Sequence, residues 1–170
     1  MGAPVEFSKQ QNDKERAIHF DRPPSTAFPI PATLLNPIFG KFIDDCQTHE
    51  PTAEDNKLIL KLSTAMSSFF GDELTRASKF REILGASKMD FTSTVLEGTR
   101  YTTDGDIQSN KCRYAILEVK NEIGSSSAEP HFQAMSYYVC STKPKVSERA
   151  HFRFPCILIT LFGELSILQR

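Results

Sequence analysis

The stretch Arg113-Tyr114-Ala115-Ile116-Leu117-Glu118-Val119-Lys120-Asn121-Glu122 decides how this 170-residue chain is read. It is an apolar, β-rich run that ends by setting an acid and a base two residues apart. Side chains alternate faces along a strand, so Glu118 and Lys120 project together while Ala115, Leu117 and Val119 point the other way. Burial of Leu117 and Val119 then holds Glu118 and Lys120 side by side at an edge of the core. A carboxylate beside an ammonium is either a stabilising ion pair or half of a metal-dependent site.

The neighbouring segments supply a sheet. Residues 92–101, rich in Thr, Val and Tyr, predict a strand, and 102–107 continue the extended chain. Gln108-Ser109-Asn110-Lys111 reads as a turn, after which the run from Arg113 returns as the second arm of a hairpin. Gly124-Ser125-Ser126-Ser127 is a loop, and Pro130 can open a helix whose buried stripe is Phe132, Met135, Tyr138 and Val139. A basic loop with Lys143, Lys145, Arg149 and Arg153 follows. Residues 156–162 read as a buried strand and 165–168 as its partner.

Upstream the period is helical. Asn36-Pro37 is a cap and first turn, opening a short helix that ends before His49. Thr52 and Asp55 have capping-box spacing, and Leu58, Leu62, Ala65, Met66 and Phe69 follow as an apolar stripe. After Gly71, Asp72 begins a helix that turns Leu74, Ala77, Phe80, Ile83 and Leu84 inward. Residues 1–33 form a polar, then proline-rich leader expected to be flexible, and 34–170 form one domain. Helices, three strands, a helix and two strands predict an α/β, mixed α+β architecture with a central mixed sheet flanked by helices.

Composition narrows the classes. A 39% apolar and 24% charged chain is an ordinary globular one, and no apolar run approaches the roughly 20 residues of a membrane span. No secretory signal is visible and the four cysteines are scattered, which predicts an intracellular, reduced protein without the usual zinc spacings. The four histidines form no metal-ligand pattern. The formal net charge is −1, yet residues 111–153 hold seven Lys/Arg against four Asp/Glu. Such groups could meet phosphates, positioning a nucleic acid without reading its sequence.

Hydrolysing a phosphodiester at neutral pH calls for a metal that polarises phosphate and generates hydroxide. Mg²⁺ prefers one or two carboxylates, and a nearby Lys can orient water and stabilise charge building on phosphate. The minimal sequence form is an Asp on one strand and Glu-x-Lys on the next. Here these are Asp104 or Asp106, which share a strand parity, followed by Glu118-Val119-Lys120.

This arrangement resembles the PD-(D/E)XK nuclease superfamily, whose core is a restriction-endonuclease-like α-β-β-β-α-β fold. Thr103-Asp104-Gly105-Asp106-Ile107 is similar to the Pro-Asp-Gly segment of lambda-exonuclease-like members, with Thr103 in the proline's place. Gln133 and Tyr137 match the Gln-x-x-x-Tyr helix motif of RecB-like members. The resemblance implies Asp104 and Glu118 as ligands of Mg²⁺ or Mn²⁺, Lys120 as catalytic base, and Gln133 and Tyr137 facing the site. Glu54, Glu73 and Glu82 are helix acids from which a further ligand could come. The implied partner is DNA or RNA.

From about Leu34 to Phe162 the chain also resembles an uncharacterised group of basidiomycete fungal proteins, in which a nuclease-like module precedes a kinase-like domain. Glu118-Val119-Lys120-Asn121-Glu122-Ile123-Gly124 and Phe154-Pro155-Cys156-Ile157-Leu158-Ile159 carry that likeness. No kinase motif is present here. The apolar ending at Leu168 is expected of a truncated copy, and the alternative to an enzyme is an inactive binding or regulatory module once joined to such a kinase-like domain.

Overall fold

The computed structural model describes residues 3–17, 32–35, 37–121, 128–149, 151–152 and 154–163. In chain order the elements are α1 (Pro4–Asn12), α2 (Ala32–Leu35), α3 (Pro37–Thr48), α4 (Ala53–Met66), α5 (Glu73–Gly85), β1 (Gly105–Ser109), β2 (Cys112–Lys120), α6 (Pro130–Val146) and β3 (Ile157–Phe162). The chain is a mixed α+β protein.

β2 is the middle strand of a three-stranded sheet ordered β1-β2-β3. It pairs antiparallel with β1 through a two-residue turn, Asn110-Lys111, whose φ angles are 50° and 63°. Positive φ at both central residues gives the turn a twist that matches the strands it joins. β3 lies parallel to β2 in a register running from Ala115 opposite Ile157 to Lys120 opposite Phe162. A parallel neighbour needs a crossover, and α6 lies on it.

The alternation of β2 sorts the core. Leu117 and Val119 pack with Ala77 and Phe80 of α5, and with Phe91, Ile159 and Leu161. Ile116 packs on the opposite face with Ala134 and Tyr137 of α6, and with Leu96, Tyr101 and Leu158. Each fully buried aliphatic side chain contributes about 1.5–3 kcal/mol. The starts of α4 and α5 are closed by side chains. Asp55 and Thr52 exchange both bonds of a capping box, which holds the Asp55 carboxyl down to about 2, and Asp72 accepts from the Thr75 N–H at 2.7 Å.

Several expectations change. The stretch 92–101 is not one strand: the chain doubles back around Gly98 (φ 73°), leaving isolated bridges at Thr92–Asp106 and Val95–Thr102. Threonine and valine content favoured an extended run, and the left-handed glycine turns it into an irregular hairpin lying over Ile116. On α6 the expected Tyr138 packs against the core and Met135 is buried, but Ala134 and Tyr137 join them at the sheet, while Phe132 and Val139 are only half-buried. A small Ala134 lets the helix approach closely, so size mattered more than apolarity. Lys143 and Lys145 belong to the last turn of α6, not to a loop; Lys145 bonds the Lys111 carbonyl and Arg149 the Asn110 carbonyl, so this basic group grips the hairpin turn. Within residues 1–33, α1 is helical and Phe7 stacks on Phe132 with ring centroids 4.1 Å apart. The loop at 124–127, Glu122, Arg153 and the strand expected at 165–168 lie outside the described residues.

Beneath the hairpin, Asp106 is buried and closed. It accepts from Thr103 Oγ1 (2.7 Å), Gln108 Nε2 (2.7 Å), Arg113 Nε (3.2 Å) and the Thr94 hydroxyl. Four donors converge on it, and they hold the 92–103 hairpin against β2. Asp106→Ala leaves the Arg113 guanidinium buried without its counter-charge and is expected to cost about 3–5 kcal/mol in urea unfolding.

Candidate active site

The carboxyl ends of the parallel pair β2 and β3, the first turn of α5 and the sheet-facing side of α6 meet at Glu118. Ligand sites of open α/β sheets form at this kind of place, beyond the carboxyl ends of the strands. Glu118 is 0% exposed. Among the described residues, neither of its carboxylate oxygens has a hydrogen-bond partner. Burial pushes its carboxyl up to about 9, aided by the neighbouring Asp104 and Glu73 carboxylates and opposed by Lys120 and by the nearby Asp104 N–H, which stops short of hydrogen-bond geometry. A carboxyl in that condition is protonated at neutral pH unless a cation joins it.

Asp104 stands just before β1. Its Oδ2 accepts the Val119 N–H at 2.7 Å, so the side chain extends the β1–β2 ladder by one bond and places the carboxylate at the end of β2. Burial raises its carboxyl as well, against the pull of that N–H and of Lys120 and Arg81. Arg81 of α5 donates to the Asp104 carbonyl and holds this turn from the helix side. Asp104 and Asp106 share a parity, yet their environments part: Asp106 is spent on Arg113 and its hydroxyl partners, and Asp104 neighbours Glu118.

Lys120 ends β2 and reaches past the sheet to α5, where Nζ lies 2.8 Å from Glu73 Oε2. The expected Glu118–Lys120 adjacency is therefore electrostatic rather than a bonded pair. Glu73 enters the cluster from the helix, and Glu54 and Glu82 have no part in it. Helical spacing could not single out Glu73, because its role comes from standing one residue after the Asp72 cap. Arg76, one turn on, donates to Asn121 Oδ1 (2.9 Å) and the Met66 carbonyl (3.0 Å), while Asn121 donates to the Phe70 carbonyl (3.2 Å). Together they tie the end of β2 to the α4–α5 connection. Gly163 fits beside them, where a Cβ would overlap the Asn121 carbonyl.

From α6, Gln133 donates to the Tyr137 hydroxyl at 2.8 Å, and Gln133 Oε1 is a further buried oxygen lacking a partner among the described residues. Burial, with the Glu118 carboxylate next, pushes the Tyr137 phenol up to about 12, so it stays a proton donor at neutral pH. Asp104, Glu118, Lys120 and Tyr137 thus act on one another in one partly desolvated corner.

Among the described residues no group of three or more His, Cys, Asp or Glu is disposed to hold a metal. A hard divalent ion such as Mg²⁺ needs fewer, commonly one or two carboxylates with water and phosphate for the rest. Asp104 and Glu118 could supply that pair, and the two partnerless Glu118 oxygens fit such an ion. No family model matches the chain, and no curated protein or solved structure matches it either.

The raised Glu118 carboxyl has a thermodynamic sign. Between its ordinary value of 4.5 and about 9 the folded state holds a proton that the unfolded state has released, so stability falls as pH rises through that window. Glu118→Gln removes this slope. The variant should outlast the metal-free wild type in urea at pH 8, the gap closing toward pH 4.

Proposed function

We propose that this chain is a metal-dependent nuclease domain of the PD-(D/E)XK type with a restriction-endonuclease-like core, hydrolysing phosphodiester bonds of DNA or RNA. The observation that carries the proposal is the Glu118 carboxylate, wholly buried, partnerless among the described residues, and neighboured by Asp104. Structural carboxylates are hydrogen-bonded, as Asp106 is, and an orphaned one marks a group waiting for a ligand. Burying it costs stability that a purely structural role would not require.

In this reading Asp104 and Glu118 hold Mg²⁺ or Mn²⁺, which when bound would polarise the phosphate and lower the pKa of water. Asp104 is fixed by the Val119 N–H, so its carboxylate is set before any ligand arrives. Lys120 offers an ammonium that orients water and favours negative charge on phosphate, and Glu73 anchors it. Tyr137 presents a proton donor, and Gln133 fixes its rotation. Nucleic acid with its phosphodiester charge is the substrate class these groups suit.

A second reading is a catalytically inactive nuclease-like binding or regulatory module. The observation favouring it is the Lys120–Glu73 ion pair, which engages the very ammonium that catalysis needs. Calorimetric titration with Mg²⁺ and Mn²⁺ separates the two: binding that Glu118→Ala abolishes supports the enzyme, and no binding by a folded protein supports the module. Cleavage of DNA and RNA with either metal is expected to fall by about 10²-fold or more in Glu118→Ala and Lys120→Ala. Equal cleavage by wild type and both variants eliminates this site.

A further inference from the structure

Among the described residues two arginines are buried, and their charges are treated differently. Arg113 is 7% exposed and pairs with the Asp106 carboxylate. Arg76 is 5% exposed and meets only neutral groups. Its Nε donates to Asn121 Oδ1 at 2.9 Å and its Nη1 to the Met66 carbonyl at 3.0 Å, while the Phe70 ring centroid lies 4.7 Å from Cζ. Burial lowers its pKa, and no carboxylate opposes that pull. A charge taken out of water is ordinarily paired, because neutral acceptors return less than its hydration did. An aspartate at 121 would accept the same Nε bond and supply the counter-charge; asparagine keeps the bond and leaves the charge open.

Nη2 is the open end of this guanidinium. Among the described residues it has no hydrogen-bond partner, and it is not sealed from solvent. It lies against Gly163, where a Cβ would stand 2.8 Å away, so the glycine leaves that side without a covering side chain. Asn121 and Gly163 directly follow β2 and β3, and Glu73, one turn before Arg76, holds Lys120. The open cation therefore stands at the same end of the sheet as the partnerless Glu118 carboxylate. Arg76 is not among the charges that act on Glu118 or Asp104, so the two positions are separate.

We infer that Arg76 Nη2, between Asn121 and Gly163, binds one oxyanion of the phosphate class. Nη2 carries two N–H donors for its oxygens, and the charge strengthens both bonds. The Asn121 and Met66 bonds fix the guanidinium before a ligand arrives, which lowers the cost of binding. In the nuclease reading, on which the source of the anion but not the site rests, the oxyanion is a backbone phosphate neighbouring the one at Glu118.

The Arg76 Nε–H, held by Asn121, gives an NMR signal that reads this site directly. Inorganic phosphate added to the metal-free full chain is expected to shift it saturably. A short oligothymidylate should shift the same signal at lower concentration, and its uncharged methylphosphonate analogue should leave it in place. Saturation by phosphate without a response to the oligothymidylate keeps the site and assigns it to a free phosphate. Asn121→Asp supplies the missing carboxylate at nearly unchanged shape, and should weaken phosphate binding by about tenfold or more with circular dichroism unchanged. Arg76→Lys keeps the charge and loses the fork, and should bind labelled oligothymidylate several-fold more weakly in fluorescence anisotropy. The inference is overturned by a wild type that shows no saturable shift, or by a folded Asn121→Asp that binds phosphate as tightly. If Asn121→Asp does not fold, equal binding by Arg76→Lys and wild type overturns it. Titration of the same samples with Mg²⁺ and Mn²⁺ keeps the two readings apart. Metal binding without the phosphate shift removes this site alone, and phosphate binding without metal removes the nuclease reading alone.

Discussion

β2 is bonded to β1 over Cys112–Leu117 and to β3 over Ala115–Lys120, and every residue of it but Tyr114 is buried, so it has little solvent to which it can turn an ionisable side chain. Ile116, Leu117 and Val119 meet the constraint with hydrocarbon, and Arg113 meets it by pairing with Asp106. Glu118 does not meet it. Its neighbours are arranged around that failure: Asp104 beside it, Lys120 beyond it on the strand, Tyr137 and Gln133 above it on α6, Glu73 across the sheet end. The helices that complete the core are the ones that bring these groups in, so packing and site share their supports.

The two aspartates of the β1 hairpin show how one local difference assigns opposite work to like residues. Asp106 lies within the strand, where hydroxyls, an amide and a guanidinium surround it. Asp104 lies one residue before the strand, free to bend its carboxylate onto the Val119 N–H. The first is satisfied, and the second shares a charge problem with Glu118. Proximity in sequence gave no way to choose between them, because strand parity holds only where both residues are in the strand.

Much of the architecture was legible where a signal is local. The helix start at Pro37, the Thr52–Asp55 box, the Asp72 cap and the Asn110-Lys111 turn ahead of β2 each depend on neighbours within a few residues, and each stands where the pattern put it. The grouping of Asp104, Glu118, Gln133 and Tyr137 was suggested by spacing and resemblance together. What stayed hidden depends on distant contacts. Gly98 bends a β-rich run because Leu96 has Ile116 and Tyr137 to cover. Ala134 faces the sheet because closeness outweighs size there. Leu74, counted inward by periodicity, is 68% exposed because the first turn of α5 projects beyond the sheet. Arg76 and Asn121 meet across 45 residues, and no window of sequence contains both.

The parallel pairing of β2 with β3 also bears on the order in which the molecule folds. The β1–β2 hairpin closes locally and early, whereas β3 must wait for the whole α6 crossover before it can add to the sheet. Until α6 arrives, the Glu118 face of the hairpin is open and its carboxylate is hydrated. The electrostatic cost of enclosing that carboxylate therefore falls on the slow, long-range step of folding and not on the fast local one. A corner built in this way is closed last, when the crossover completes.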